Sequence, residues 1–469
     1  MSTPDETFHK RVKDALKDEQ LQNALDIGTG NLVSKRAKAF AAFAGIEDIR
    51  DRARLIRAHT LSQLDGYLAQ FADSVEAAGG HVFWAKDAAE ANDYALKLAQ
   101  SKNVKRVVKS KSMVTEEIKL NHTLQEEGIQ VVESDLGEFI IQLGNEAPSH
   151  IIAPAMHKTR YEVGEIFAEK LEIPYTDDPI ELNNIARAHL RQIFLGADMG
   201  ISGANFGVAE DGSICLVTNE GNGRLTTTTP RIHMALMGME RIVPTIDDLS
   251  VMLQLLGRSA TGQKLSVYTN IVTGPRRADE EDGPEELHVV ILDNGRSDLL
   301  GSNLSEMLYC IRCGACLNHC PVYQRIGGHA YGSVYTGPMG SVLTPGLQGL
   351  DEWSELPHAC SLCGKCEEVC PVRIDLPDML LKLRNAGDKA GKSPLWLKGG
   401  VQFYRAVAQR PSLYRMGLKA GSAATRLLAS NGWIQKLPAP LSGWTDHRAF
   451  PAMAEKSFHQ LWEERKKSR

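Results

Sequence analysis

Apolar residues recur at helical spacing over residues 61–78, LSQLDGYLAQFADSVEAA, and predict an amphipathic helix. Gly79-Gly80 ends it, and the apolar run HVFWA (81–85) reads as a strand. The alternation then repeats. Residues 86–102 are helical in pattern and NVKRVVKS (103–110) is strand-like; 112–128 are helical and IQVVESD (129–135) is strand-like. HIIAP (150–154) and SICLV (213–217) add two expected strands, whereas EFIIQLG (138–144) is too short to assign by periodicity. LHVVILDNGRS (287–297) reads as a strand with a turn. Strands alternating with helices of this length build βα units and a mainly parallel sheet. The loops at the carboxyl edge of such a sheet share one ligand-binding face. Residues 1–60 read as helices with polar faces, and residues 385–469 as helices again.

Composition narrows the class. The chain has 469 residues, 43% hydrophobic and 24% charged, which suits several globular domains and excludes disorder. A formal net charge of −5 argues against a dedicated nucleic-acid binder. No run of about 18 apolar residues predicts a transmembrane helix. The opening MSTPDETFHKRVKDALKDEQ lacks the apolar core of a secretory signal, so a cytoplasmic location is expected, where thiols stay reduced. The charge is uneven. Residues 381–469 hold 17 Lys and Arg against 5 Asp and Glu, a net of +12, and the rest holds 36 against 53, a net of −17. A basic tail on an acidic body suits docking to a partner subunit or a membrane surface, peripherally on its inner face; a solvated helical surface explains it equally well.

The chemistry is concentrated in the cysteines. Eight of nine fall within 61 residues, as Cys310-x2-Cys313-x2-Cys316-x3-Cys320-Pro321 and Cys360-x2-Cys363-x2-Cys366-x3-Cys370-Pro371. This run holds paired [4Fe–4S] clusters in ferredoxins, where the fourth cysteine ligates the other cluster. Cys310, Cys313, Cys316 and Cys370 are therefore expected to hold one cluster, and Cys360, Cys363, Cys366 and Cys320 the second. Zinc ribbons show separated CxxC pairs instead, and disulfides do not suit a cytosolic chain. The 39 residues between the motifs exceed what a compact bacterial ferredoxin needs. That insert resembles the α-helical ferredoxins of respiratory complexes, which relay single electrons. Cys215, in the apolar run SICLV expected as a buried strand, reads as a structural thiol.

Three loops are candidate ligand sites. In Val107-Val108-Lys109-Ser110-Lys111-Ser112, Ser112 could cap the next helix while Lys109 and Lys111 hold an anion; a capped helix with solvated lysines is the plain alternative. Thr218-Asn219-Glu220-Gly221-Asn222-Gly223-Arg224 combines a carboxylate, a guanidinium and glycines that admit close backbone approach. It is either a ligand or catalytic loop, with Asn219, Gly221 and Gly223 binding and Glu220 and Arg224 acting, or a hairpin turn. Ile201-Ser202-Gly203-Ala204-Asn205-Phe206-Gly207 is a ligand loop or the turn into a strand. His157 reads as a surface-loop histidine. Gly28-Thr29-Gly30 lacks the third glycine of a dinucleotide fingerprint, and no flavin or nicotinamide signature is evident.

The segments VKSKSMVTEEI, GISGANFGVAEDGS, LVTNEGNGRL, MGMERIVP, DGPEELHVVILDNGRS and CIRCGACLNHCPVY resemble the lactate utilization iron–sulfur protein B family, over nearly the whole chain. The resemblance implies an N-terminal α/β domain similar to ribose-5-phosphate isomerase and CoA-transferase-like proteins, then an α-helical ferredoxin with two [4Fe–4S] clusters and a basic helical tail. The expected divisions are 1–60, 61–300, 301–384 and 385–469. It also implies work with two sister proteins in oxidising L-lactate to pyruvate, with a further electron acceptor at the membrane left open. Relay of electrons is then the expected role. A catalytic α/β domain using Glu220 as base or nucleophile and Arg224 as carboxylate anchor is the first alternative, for a small carboxylate or CoA-type substrate. A redox sensor or scaffold is the second.

Overall fold

The computed structural model describes residues 7–392, 395–438, 441–445 and 448–468. Ten strands precede the cysteine region: β1 (His81–Ala85), β2 (Arg106–Lys109), β3 (Gln130–Glu133), β4 (Met199–Gly203), β5 (Phe206–Val208), β6 (Ile214–Thr218), β7 (Ile232–Gly238), β8 (Ile242–Val243), β9 (Tyr268–Val272) and β10 (Glu286–Leu292). Six of them form one sheet in the order β1-β10-β7-β4-β2-β3, and every neighbouring pair is parallel. The α/β class with a mainly parallel sheet is thus the one the alternation of patterns predicts. A second sheet, β8-β5-β6-β9, is mixed.

Each early βα turn ends on a residue that caps the next helix. Asp87 accepts from the Glu90 N–H at 3.0 Å, Ser112 from Thr115 at 3.3 Å, and Asp135 from Gly137 at 3.0 Å. These caps place the following helices, Ala88–Ser101, Met113–Glu117 and Leu136–Leu143, at the carboxyl edge of the sheet.

Several expectations need correcting. The helical stretch 112–128 is two helices, Met113–Glu117 and Leu120–Glu126, because Lys119 adopts a left-handed φ of 56°. EFIIQLG lies in the helix capped by Asp135. HIIAP forms no strand; it is apolar because it packs under the cysteine region, where the Tyr323 hydroxyl donates to the Ser149 carbonyl at 2.8 Å. Ile201–Gly203 closes β4, and Ala204-Asn205 makes the turn into β5, the second of the two readings of that segment. The Thr218–Arg224 segment is no hairpin turn either, since it leads from β6 into a short helix, Asn222–Thr228. β7 gave no alternating signal because all seven of its residues are buried.

Three N-terminal helices, Phe8–Lys17, Glu19–Ala41 and Ile46–Ser62, pack on the cysteine region, and one apolar core runs through them, the second sheet and that region. Gly28-Thr29-Gly30 lies inside the second of these helices. One compact unit ends at Lys389 and another spans Ala390–Arg469. The latter contains helices Leu395–Ala408, Pro411–Leu428 and Phe458–Lys467 and a small antiparallel pair, Trp433–Ile434 with Phe450–Pro451. Among the described residues no helix is long and apolar enough to cross a membrane.

Candidate iron–sulfur centres and an adjoining cleft

The two cysteine loops repeat in backbone as well as in sequence. Arg312 and Leu362, each two residues past the first cysteine, have φ of 59° and 55°; Gly314 and Gly364 have φ of 74° and 79°. Left-handed turns at these places swing amide groups toward sulfur. The Arg312 N–H donates to Cys310 Sγ at 3.4 Å and the Leu362 N–H to Cys360 Sγ at 3.2 Å. The Tyr323 N–H donates to Cys320 Sγ at 3.5 Å.

Folding brings the motifs together crosswise. Cys310, Cys313 and Cys316 line one small cavity with Cys370 from the other motif, and Ile151, Met307, Met339 and Val372 wall it. Cys320 in turn feels the thiols of Cys360 and Cys363, and Cys366 feels Cys360 and Cys320. All eight are free thiols, and of them only Cys363 is exposed. Soft thiolates, converging amides and an apolar wall fit an iron–sulfur cluster. Among the described residues no three His, Cys, Asp or Glu converge on a single-ion site; a cubane instead takes its thiolates at separate corners. Cys215 is buried in β6, with burial pushing its thiol up to about 12, as an inert structural thiol requires.

Cations crowd the first set. The Arg241 guanidinium donates to the Cys310 carbonyl at 2.8 Å and also to that of Asn205. Arg50 donates to the Cys370 carbonyl at 2.7 Å, and Arg36 to that of Val369 at 2.8 Å. Arg296 joins Glu117 at 2.7 Å and Glu240 at 2.8 Å, and Arg312 reaches Glu240 at 3.3 Å. Tyr335 donates to Glu117 at 2.6 Å. Burial pushes Glu240 upward, but Arg296, Arg312 and Arg241 outweigh it and hold its carboxyl near 2. Arg57 donates to the Ile242 and Leu308 carbonyls, so Arg296 and Arg312 pair with the carboxylates Glu117 and Glu240 while Arg57 and Arg241 bond backbone carbonyls. Two positive charges are left over beside Cys310.

A cleft of about 570 Å³ opens against this cluster of charges, at the carboxyl edge of β2, β3 and β4. Lys111, Ser112, Asn219 and Glu220 of the candidate residues line it, together with Asp135, Asn205, Asn222, Arg241 and Arg312. The others point elsewhere. Lys109 is wholly buried between Glu133 at 2.8 Å and Glu116 at 3.0 Å, where those carboxylates overcome burial and raise its pKa. Arg224 is exposed on the helix Asn222–Thr228, and Gly221 is exposed beside it. Gly223 packs on Thr218, whose side chain a Cβ would meet at 2.8 Å. His157 is no surface histidine: its ring lies 2.7 Å from Glu146 and is nearly enclosed.

Glu220 stands at the cleft mouth, exposed overall, and accepts from the Leu136 N–H at 3.4 Å. Solvent access and the crowding of protein around its carboxyl act in opposite directions. Crowding wins, with Asp135 adding to it against Leu136 and Lys111, and its pKa rises to about 7. Arg241, Arg312, Asp135 and Asn222 were not singled out from the sequence. Arg312 does sit between two cysteines, and Asp135 sits at a strand–helix junction, which are the signals that could have found them.

A LUD domain model matches residues 68–292, a 4Fe-4S dicluster domain model matches 306–374, and a model described as the C-terminal part of lactate utilisation protein B matches 384–467. Proteins called lactate utilization protein B from Bacillus cytotoxicus and Bacillus thuringiensis are each 47% identical over 468 residues, covering 100% of this chain and 99% of the relative. A crystal structure of a DUF162 family protein from Deinococcus radiodurans is 14% identical, with a TM-score of 0.29, over 49% of this chain and 98% of that one.

Proposed function

The chain belongs to the lactate utilization protein B family, and from that premise we propose that it is the iron–sulfur electron-transfer subunit of a multi-protein complex oxidising L-lactate to pyruvate. It works there with two sister proteins. Cys310, Cys313, Cys316 and Cys370 hold one [4Fe–4S] cluster, and Cys360, Cys363, Cys366 and Cys320 the other. The observation that carries this reading is the cavity in which Cys370 joins three cysteines of the opposite motif.

Lactate gives up two electrons and two protons, and two bound clusters supply two one-electron acceptors. The chain's own residues do the rest. The amides of Arg312, Leu362 and Tyr323 stabilise thiolate charge. Ile151, Met307 and Val372 keep water from the inner set. Arg241 and Arg312 offset its negative charge. The exposed Cys363 brings the outer set to the surface, where a partner can exchange electrons with it. The basic C-terminal segment is the proposed docking element for an acidic partner surface.

Electron paramagnetic resonance tests the role. Anaerobically purified protein is mixed with L-lactate, with and without its sister proteins. A reduced-cluster signal only with the partners is expected. No signal in either mixture, while dithionite still reduces the clusters, refutes lactate as donor. A signal from this chain alone refutes pure relay and moves the oxidation into this chain.

A further inference from the structure

The cleft beside the inner cysteine set is not needed for a relay, yet it carries more polar machinery than a structural gap would. We propose that it is a binding site for a small organic carboxylate of the 2-hydroxy or 2-oxo acid class, with Lys111 and Arg312 as its anion partners and Asn222 and Glu220 as partners of the neighbouring oxygen. The carboxylate rests on the cations; the narrower acid class rests on the lactate reading above.

Three unpartnered groups carry the argument. Lys111 Nζ and Arg312 Nη1 are buried atoms with no hydrogen-bond acceptor, although both residues line the cleft. Asn222, 6% exposed, also lines it and leaves its Oδ1 unpaired. A buried donor or acceptor without a partner keeps the full cost of losing its water, so three around one space point to a ligand or ordered water that completes them. Lys111 has a carboxylate neighbour, Glu138, at 3.3 Å, but burial pushes Glu138 well above the usual carboxylate range in spite of Lys111. That contact completes no hydrogen bond, so Lys111 Nζ keeps its donors for an incoming anion. Arg312 is likewise only partly satisfied, since Glu240 is shared with Arg296.

The size of the cleft sharpens the class. A volume of about 570 Å³ lies inside the roughly 300–1,000 Å³ range of small-molecule sites. It exceeds what a three-carbon acid fills. Ile140, Ile152, Leu236 and Leu256 form apolar wall, so a longer aliphatic side chain has surface to bury against.

Isothermal titration of the oxidised, cluster-loaded full chain, without sister proteins, tests this. The probes are L-lactate, pyruvate, 2-hydroxyhexanoate and the neutral lactamide. Saturable binding of the three acids is expected, with 2-hydroxyhexanoate at least as tight as lactate and lactamide at least tenfold weaker. Lys111→Gln should weaken acid binding tenfold or more, and Asn222→Ala several-fold, with unchanged dithionite-reduced spectra showing both variants folded. No saturable binding to the parent protein overturns the proposal, and so does equal affinity in both folded variants. The two readings fail separately: binding without lactate-driven cluster reduction sinks the relay and spares the cleft, whereas reduction without binding does the reverse.

Discussion

Arg312 and Leu362 hold the same place in the two cysteine loops, in the same left-handed turn and with the same amide-to-sulfur bond. Their surroundings differ. Arg312 reaches inward to Glu240, in a buried set of arginines that outnumber their carboxylates. Leu362 is exposed beside Cys363, and the nearest ion pair in that loop, Lys365 with Glu368, is open to solvent. Spacing and backbone therefore define two similar thiolate cages, while the fold around them makes one an interior centre and the other a surface one. Charge left over in a low-dielectric interior acts strongly on a neighbouring redox group; charge in water is screened.

The most severe test breaks the crosswise pairing. Cys320→Ser should cost the outer cluster, although Cys320 belongs to the first motif, and Cys370→Ser should cost the inner one. Iron content should fall from about eight to about four per chain in each case. Spectra resolving the two centres decide the matter: loss of the inner cluster in Cys320→Ser would show that each motif holds its own.

Next in size is the buried charge network. Glu240 is 1% exposed and faces Arg296 and Arg312. Glu240→Ala leaves Arg312 without its carboxylate and Arg296 with Glu117 alone, and breaking such a buried pair costs about 3–5 kcal/mol. Its counterpart in the outer loop is exposed, so Glu368→Ala should leave stability unchanged. Anaerobic urea denaturation of both variants measures the contrast, and a Glu240→Ala midpoint equal to that of the parent would remove the distinction between interior and surface.

These two regions also differ in how far the sequence disclosed them. The thiolate cages were legible because their ligands lie three residues apart, so spacing alone encodes the geometry. The parallel sheet was legible through the alternation of patterns up to β3, where helices and strands each kept their own period. The cleft was not, because its residues come from strand ends far apart in the chain: Lys111 after β2, Asp135 after β3, Glu220 after β6 and Arg241 after β7. Lys109 shows the limit of local reasoning. It ends β2 and is buried between Glu133 and Glu116, which absorb its charge, whereas Lys111 lies beyond the strand in the turn before the next helix and lines the cleft. HIIAP misled for a related reason, since an apolar run records burial and not the element that buries it.

A smaller effect separates the two centres by potential. Arg312→Gln removes one positive charge from beside Cys310 and should make the inner cluster harder to reduce, leaving the outer cluster where it was. Spectroelectrochemical titration reads both. Equal shifts of the two potentials would mean that the arginine surplus does not single out the inner centre.

Smaller again is the response of the cleft to pH. The Glu220 carboxyl faces Asp135, Lys111 and the Leu136 N–H, and its pKa lies near 7, raised by burial and by Asp135. Below that value it is neutral and leaves an incoming carboxylate unopposed. Above it the negative charge repels the ligand. Affinity for pyruvate should therefore fall several-fold between about pH 6 and about pH 8, around a pKa lifted from the ordinary carboxylate value. Glu220→Gln should flatten the curve, and an unaltered curve in that variant would assign the pH dependence to another group.

The slightest change concerns the outer loop alone. Lys365 lies between Cys363 and Cys366 and pairs with Glu368 at 2.6 Å, in solvent. An exposed charge there does little for the fold, but it is placed where a partner must approach to exchange electrons with the outer centre. Charges at such a rim act on encounter rates and lose their effect as salt rises. Lys365→Ala should leave iron content and denaturation midpoint untouched, and should alter the rate of cluster reduction by lactate plus sister proteins by a few-fold at low salt and hardly at all at high salt. Stopped-flow absorbance across an ionic-strength series measures this. A change that persists at high salt would place Lys365 in the interior electrostatics of the cluster, and the contrast between an inner centre tuned by buried charge and an outer one tuned by encounter would no longer hold.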